Sequence, residues 1–192
     1  MRVLGARSRG ERGAVAVEMA VVVPVLVLLV FGVLEFGLAF DQKLEMANAV
    51  NQATRNASVL GVDDYADIQA LDALSAGLGG NVGSIVEVHI FKADADGNRG
   101  ISDRYVPDAS SCEWDPCPDP DEGTPTYGSP DDYKPCTRDI VLGGGVDTVG
   151  VEVTYTHSWI TGVLGAGTQT WHETARARLE PDLLGTAPVG CS

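Results

Sequence analysis

The first forty residues constrain this chain more than any other stretch. An arginine-rich leader, Met1 to Gly13, runs directly into the apolar sequence AVAVEMAVVVPVLVLLVFGVLEFGLAF. The leader carries Arg2, Arg7, Arg9 and Arg12 against the single acid Glu11. The apolar segment, Ala14 to Phe40, has 27 residues and two charges, Glu18 and Glu35. As a helix rising ~1.5 Å per residue it reaches about 40 Å, more than the ~30 Å hydrocarbon core of a bilayer. It is long enough to span, and a basic flank stays on the cytoplasmic side, so everything after Phe40 is expected outside the cytoplasm. A cleaved secretory signal fits poorly, because its apolar region is about 7–15 residues long and ends at a small-x-small site. Gly37-Leu38-Ala39-Phe40-Asp41 offers no such site. A plain signal anchor meets the same length and charge criteria.

Glu18 separates the alternatives. A carboxylate within an apolar helix costs a few kcal/mol on insertion scales and marks a partnered position. If the chain is cut between Gly13 and Ala14, the new amine lies four residues before Glu18, on the same helix face. That amine, on the same chain or a neighbouring one, is a suitable partner. Glu35 lies 21 residues beyond Ala14, about 32 Å along a helix, which places it near the outer interface where water is available. Pro24 removes one intrahelical hydrogen bond.

Gly13 followed by Ala14-Val15-Ala16-Val17-Glu18, then Met19-Ala20, Pro24, an aliphatic run and Leu34-Glu35-Phe36-Gly37, resembles the N-terminal signature of TadE-like proteins. These are the pseudopilins or minor pilins of tight-adherence (Flp) pilus assembly. The resemblance covers residues 10–60 and, more weakly, 147–180. It implies a membrane-embedded prepilin peptidase that cuts after Gly13 and leaves Ala14 as the mature N-terminus. It also implies that Glu18 guides assembly, and that the partners are other pilins or pseudopilins, the tight-adherence membrane assembly proteins and membrane lipid. Met19 departs from the pattern, where the family more often has an aromatic residue.

Beyond the membrane segment, Asp41 to Leu60 lacks proline, and Leu44, Ala47, Val50 or Asn51, Ala53 or Thr54, Ala57 and Leu60 fall near helical spacing, so the helix is expected to continue as one rod. A second helix is predicted from Asp64 to about Leu78, with Asp63 or Asp64 as cap, Ile68, Leu71, Leu74 and Leu78 on one face, and Gly79-Gly80 as stop. Alternating apolar residues predict strands at Ile85–Lys92, Val149–Tyr155 and Thr170–Leu179. The fold class is therefore α+β, a long transmembrane helix leading into an extracytoplasmic domain whose small antiparallel sheet packs on helices, as in pilins. The expected parts are a leader (1–13), a membrane segment (14–40), a helical stem (41–80), a β-rich domain (81–182) and a tail (183–192). An acidic Cys/Pro-rich insertion (93–139) interrupts the β-rich domain.

That insertion holds Cys112, Cys117 and Cys136, with Cys191 in the tail making four. An even set in an oxidising compartment points to disulfides; three pairings are possible, and Cys112 with Cys117 is the favoured one. Zinc would want tighter spacings such as C-x2-C. Asp94-Ala95-Asp96-Gly97-Asn98 begins like a calcium loop, but Arg99 occupies the position that needs glycine and Tyr105 the position that needs a bidentate glutamate. A turn at Asp96-Gly97 closing a strand is the simpler reading. His89, His157 and His172 fall on three predicted strands, where scattered half-exposed histidines are ordinary. Asn56-Ala57-Ser58 matches a glycosylation sequon by composition alone.

No nucleophile elbow, phosphate loop or C-x-x-C is present, so neither an enzyme nor a cofactor is indicated. A formal net charge of −14, more negative still without the leader, argues against a nucleic-acid partner. The leading reading is a minor pilin or pseudopilin anchored by a single pass. The alternative is an adhesin-like binding module, membrane-anchored and outside any pilus. N-terminal sequencing of the membrane-fraction protein should read Ala-Val-Ala-Val-Glu, whereas a start at Met1 or after Ala39 would remove the processing reading. Gly13→Val should accumulate the uncut precursor.

Overall fold

The computed structural model describes residues 9–108, 113–116, 133–141, 145–162 and 167–181, with side chains from Gly13 onward. Two units emerge: Met1–Phe40 with Ser158–Gly167, and Asp41–His157 with Thr168–Ser192. The fold is α+β. Helix α1, Arg9–Leu60, runs 52 residues with Pro24 inside it, and α2 is Ala66–Gly77. The five strands are β1 (Ile85–Ala93), β2 (Arg99–Asp108), β3 (Glu113–Asp115), β4 (Thr148–Ser158) and β5 (Thr168–Arg178), in the order β3-β2-β1-β4-β5.

In the second unit α1 buries Met46, Ala49, Val50, Ala53 and Ala57, a stripe at three- and four-residue spacing. The stripe shares Val50, Ala53 and Ala57 with the expected one but starts from Met46 and Ala49, since Leu44 is exposed. Its small residues allow close approach by α2: a Cβ on Gly77 would sit 2.8 Å from the Cβ of Ala49. On α2 the buried residues are Ala66, Asp67, Ala70, Leu71, Leu74 and Ser75. Asp63 does not cap this helix; its Oδ1 accepts the Tyr65 N–H at 2.9 Å in the turn before it.

The sheet supplies the opposite wall of the core. On β4, Val149, Val151, Val153 and Tyr155 are all fully buried, as their alternation predicts. β5 alternates half-buried and exposed residues from Trp171 onward. On β1, Val88 and Ile90 are buried but Val86 is exposed. A register shift against β4 between Ile85 and Glu87 exchanges the faces, turning Ile85 inward instead. Phe91 on the other face lies opposite Gly150, and a Cβ at that glycine would be 2.2 Å from the ring.

Strands β2 and β3 lie inside the segment read from sequence as an insertion. β2 is polar and contains Pro107, which hides it from an alternation test. The proline is accommodated because pairing with β1 ends at Tyr105, so Pro107 has only β3 beside it, opposite Trp114. The turn between β1 and β2 uses Gly97 at φ 84°. Asp94 Oδ1 accepts the N–H groups of Asp96 and Asn98 at 2.9 and 2.7 Å, so that carboxylate builds the turn.

From β3 the chain must return past β2 and β1 to reach β4, and residues 133–141 carry an anchor on this return. Arg138 is buried, its side chain 0% exposed, against Asp67 of α2 at 1%. Its guanidinium also donates to the Gly61 carbonyl at 3.2 Å and the Tyr133 carbonyl at 3.3 Å, and lies 4.8 Å from the Tyr133 ring centroid. Asp67 accepts a further bond, at 2.9 Å, from the Tyr105 hydroxyl. Burial works against the Arg138 charge, but Asp67 alongside outweighs it and holds the pKa above the ordinary arginine value. A second acid, Asp147, accepts from Tyr133 Oη at 3.3 Å and the Asp139 N–H at 3.0 Å, and pairs with Lys92 at 2.5 Å.

Removing one member of a buried pair leaves the other charged and desolvated. Arg138→Leu should therefore lose about 3–5 kcal/mol of stability, and Asp67→Leu added to it should recover part of that loss. Denaturant unfolding in micelles, followed by tryptophan emission, measures both. A single variant within about 1 kcal/mol of wild type, the upper range for an exposed pair, would show that the pair does not hold the return segment.

Candidate functional site

The residues singled out by sequence divide between α1 and the β-rich unit. In the first unit the helix is apolar round its axis and, away from Glu35 and Ala39, exposed: Val15, Val17, Val21, Leu28, Val33 and Phe40 are 57, 68, 67, 55, 72 and 61% exposed. Its most apolar 18-residue window has a mean hydropathy of 2.8, and none of it is buried. A helix apolar all round is made for an apolar surrounding. Gly13 and Ala14 are exposed in the first turns of α1. A Cβ added at Gly13 would meet nothing within 4 Å among the described residues, so no packing among them requires a glycine there. Glycine within a helix costs about 1 kcal/mol relative to alanine. The same open space surrounds Gly32 and Gly37; Gly13 is set apart by the basic leader before it.

Glu18 is exposed on this apolar surface. Glu35 is in the opposite condition, contrary to the expectation that water solvates it: it is 3% exposed. Its Oε1 accepts the backbone N–H of Thr161, and that of Gly162 at 3.2 Å. Both donors belong to the connection from β4 to β5, which folds onto the helix within the same unit. Beside this contact lies an open cleft of about 450 Å³ lined by Phe31, Leu34, Glu35, Leu38, Ile160 and Thr161, among others. No periodicity in the sequence marks this contact, because its donors are backbone groups 126 and 127 residues away.

The histidines are not brought together. His89 Nε2 is 3.7 Å from Glu87, and its Nδ1 is 3.4 Å from Ser102 Oγ. His157 is buried, stacked on Trp171 at 4.7 Å between centroids, with Nδ1 2.5 Å from Gln42 Oε1. His172 Nδ1 is 3.0 Å from Thr154 Oγ1. Among the described residues no group of three or more His, Cys, Asp or Glu is placed to hold a metal. Cys136 is disulfide-bonded; Cys112, Cys117 and Cys191 lie outside the described residues, as do the leader's first residues and the tail. Near them the described residues include two parts of the core that sequence reading missed, the buried Trp114 and Tyr133.

Burial, reinforced by the Arg99 charge and opposed by Glu87, lowers the His89 pKa from 6.5. A histidine held neutral in the fold and free to protonate when unfolded binds more protons in the unfolded state. Its stabilising contribution is thus present above pH 6.5 and is lost as the pH falls below it. Denaturation midpoints measured from pH 7.5 to 5.5 should decline for wild type and decline less for His89→Asn. Equal slopes would remove His89 from the pH response.

Comparison with known proteins matches residues 13–55 to the family model described as TadE-like protein. No curated protein and no solved structure matches the chain.

Proposed function

Taking as premise that this chain is TadE-like over residues 13–55, and so a membrane-anchored, Tad pilus-related protein, we propose that it is a minor pilin or pseudopilin. On this reading a prepilin peptidase cuts it after Gly13, and its N-terminal helix packs it into the pilus system. The N-terminus lies on the cytoplasmic side and the β-rich unit outside. The protein is structural, and its partners are other pilins or pseudopilins and the membrane assembly proteins.

The observation that carries this reading is the contrast between the two glutamates of one apolar helix. Glu35 is already satisfied by backbone donors of its own chain. Glu18 is exposed amid valines, and among the described residues it has neither a hydrogen bond nor an ion pair. In an apolar medium that state is costly, and a cation relieves it. Cutting after Gly13 creates a cation four residues away, one helical turn. Between neighbouring subunits the same amine-to-carboxylate pairing sets the register of one helix against the next.

Removing the charge makes the helix more apolar, so Glu18→Ala should insert and be processed normally. It should fail to co-purify with the other pilus components. Alkaline extraction of membranes, N-terminal sequencing and pull-down separate the three steps. Wild-type co-purification and piliation by Glu18→Ala would leave the pairing without support.

A further inference from the structure

The β4–β5 connection enters the reading above only through its two donors to Glu35, yet it belongs to the same unit as the apolar helix. In an acidic chain of net charge −14, no Asp, Glu, Lys or Arg occurs between His157 and His172. Trp159 is half-buried and Ile160 is 75% exposed. A lone exposed isoleucine needs no explanation. This one is not alone, since it lines the cleft with Phe31, Leu34 and Leu38, and those residues are 42, 55 and 50% exposed. The apolar surface of the helix therefore continues without a break onto the loop.

From this continuity we infer that residues 159–162, at the start of the β4–β5 connection, are a second membrane-contacting element, seating Trp159 and Ile160 in the outer leaflet against the emerging helix. The inference rests on the membrane-anchored reading above. Glu35 lies about 32 Å along the helix from Ala14, at the outer interface, and the loop is fastened at that level. Phe31, one turn deeper, also borders Ile160 across the cleft. Tryptophan and isoleucine beside an uncharged backbone fit the interface; the Trp159 N–H is itself buried within the protein, so it is the exposed part of the ring that meets lipid.

The Glu35 contact removes the main obstacle to this placement on both sides. Peptide N–H groups taken toward lipid must be bonded, and so must a carboxylate. Thr161 and Gly162 donate to Glu35 and satisfy both needs at once. Glu35 is thus a positioning residue for the loop, and its role needs an acceptor oxygen, not a charge.

The test uses the full chain in phosphatidylcholine–phosphatidylglycerol vesicles whose acyl chains are brominated either near the headgroup or near the chain end. Of the three tryptophans, Trp114 is buried in the core and Trp171 is stacked on His157. Headgroup-proximal bromine should quench part of the wild-type emission, and Trp159→Phe should abolish that part. Chain-end bromine should quench less. Glu35→Gln keeps an acceptor and should keep the quenching; Glu35→Ala should lose it. Flotation with the vesicles reports anchoring separately. A chain that floats while wild type and Trp159→Phe quench alike overturns the loop contact and leaves the anchor standing. The loop contact is equally overturned if a second copy fills the cleft, seen as a crosslinked dimer without Trp159 quenching. Failure to float removes both readings.

Discussion

A buried guanidinium needs partners, and Arg138 draws them from parts of the chain far apart in sequence, leaving only its Nε–H without a hydrogen bond among the described residues. Its ion pair with Asp67 and its bond to the Gly61 carbonyl fix residues 133–141 to α2 and to the turn after α1. Tyr133, next to it, accepts from Arg138 through its carbonyl and donates through its N–H to Asp103 of β2 at 3.0 Å. From the same segment, the Asp139 carbonyl accepts the Asp147 N–H at 2.8 Å, and the Asp147 carbonyl in turn receives the Leu179 N–H at 2.9 Å. Helices, centre of the sheet and end of β5 are thereby tied to one return segment. Tyr133 and Ile140 give that segment a place in the hydrophobic core, but apolar contact is non-directional and does not fix its position. Directional bonds to buried charges confine it to one arrangement, and the desolvation they cost is offset only in that arrangement.

How far the sequence disclosed this depends on whether the signal was periodic. α1, α2, β1, β4 and β5 were legible because each alternates or repeats apolar residues at its own period. β2 was not, since Arg99-Gly100-Ile101-Ser102-Asp103-Arg104 presents mostly polar residues and Pro107 argues against a strand. Its one helpful mark was Asp96-Gly97, a turn pair standing directly after a clear strand. Trp114 and Tyr133 escaped for a related reason: a lone aromatic between prolines and acids reads as loop, and only the folded chain shows it closing the core. Arg138 and Asp67 are separated by 71 residues, and a pair set by tertiary packing leaves no trace in local spacing.

The candidate site follows the same division. Gly13, Ala14 and Glu18 form a local pattern, and they were read directly from the basic leader, the apolar run and the single early acid. Glu35 looked like an interfacial residue in contact with water because a one-dimensional argument locates it only along the helix axis. The missing coordinate was the loop from the far end of β4, whose backbone donors replace water around the carboxylate. The signal available in sequence was indirect: a second acid in an apolar helix, and an uncharged stretch elsewhere in an acidic chain.

The position of the hand-over within α1 shows how one helix serves two surroundings. Up to Phe40 the apolar residues surround the axis, and apart from Glu35 and Ala39 nearly all are exposed. From Asp41 onward they narrow to the stripe Met46, Ala49, Val50, Ala53, Ala57, with polar residues such as Gln52, Arg55 and Asn56 exposed on the other side. The first pattern suits a uniform apolar medium and the second a core on one side only. Gln42 stands at the change and serves the second unit, donating to the Thr156 carbonyl at 3.1 Å and meeting His157. A substitution is thus judged by the side of Phe40 on which it falls. A charge placed on an exposed valine before it opposes the apolar medium, whereas a bulky residue at Ala49 after it forces α2 away.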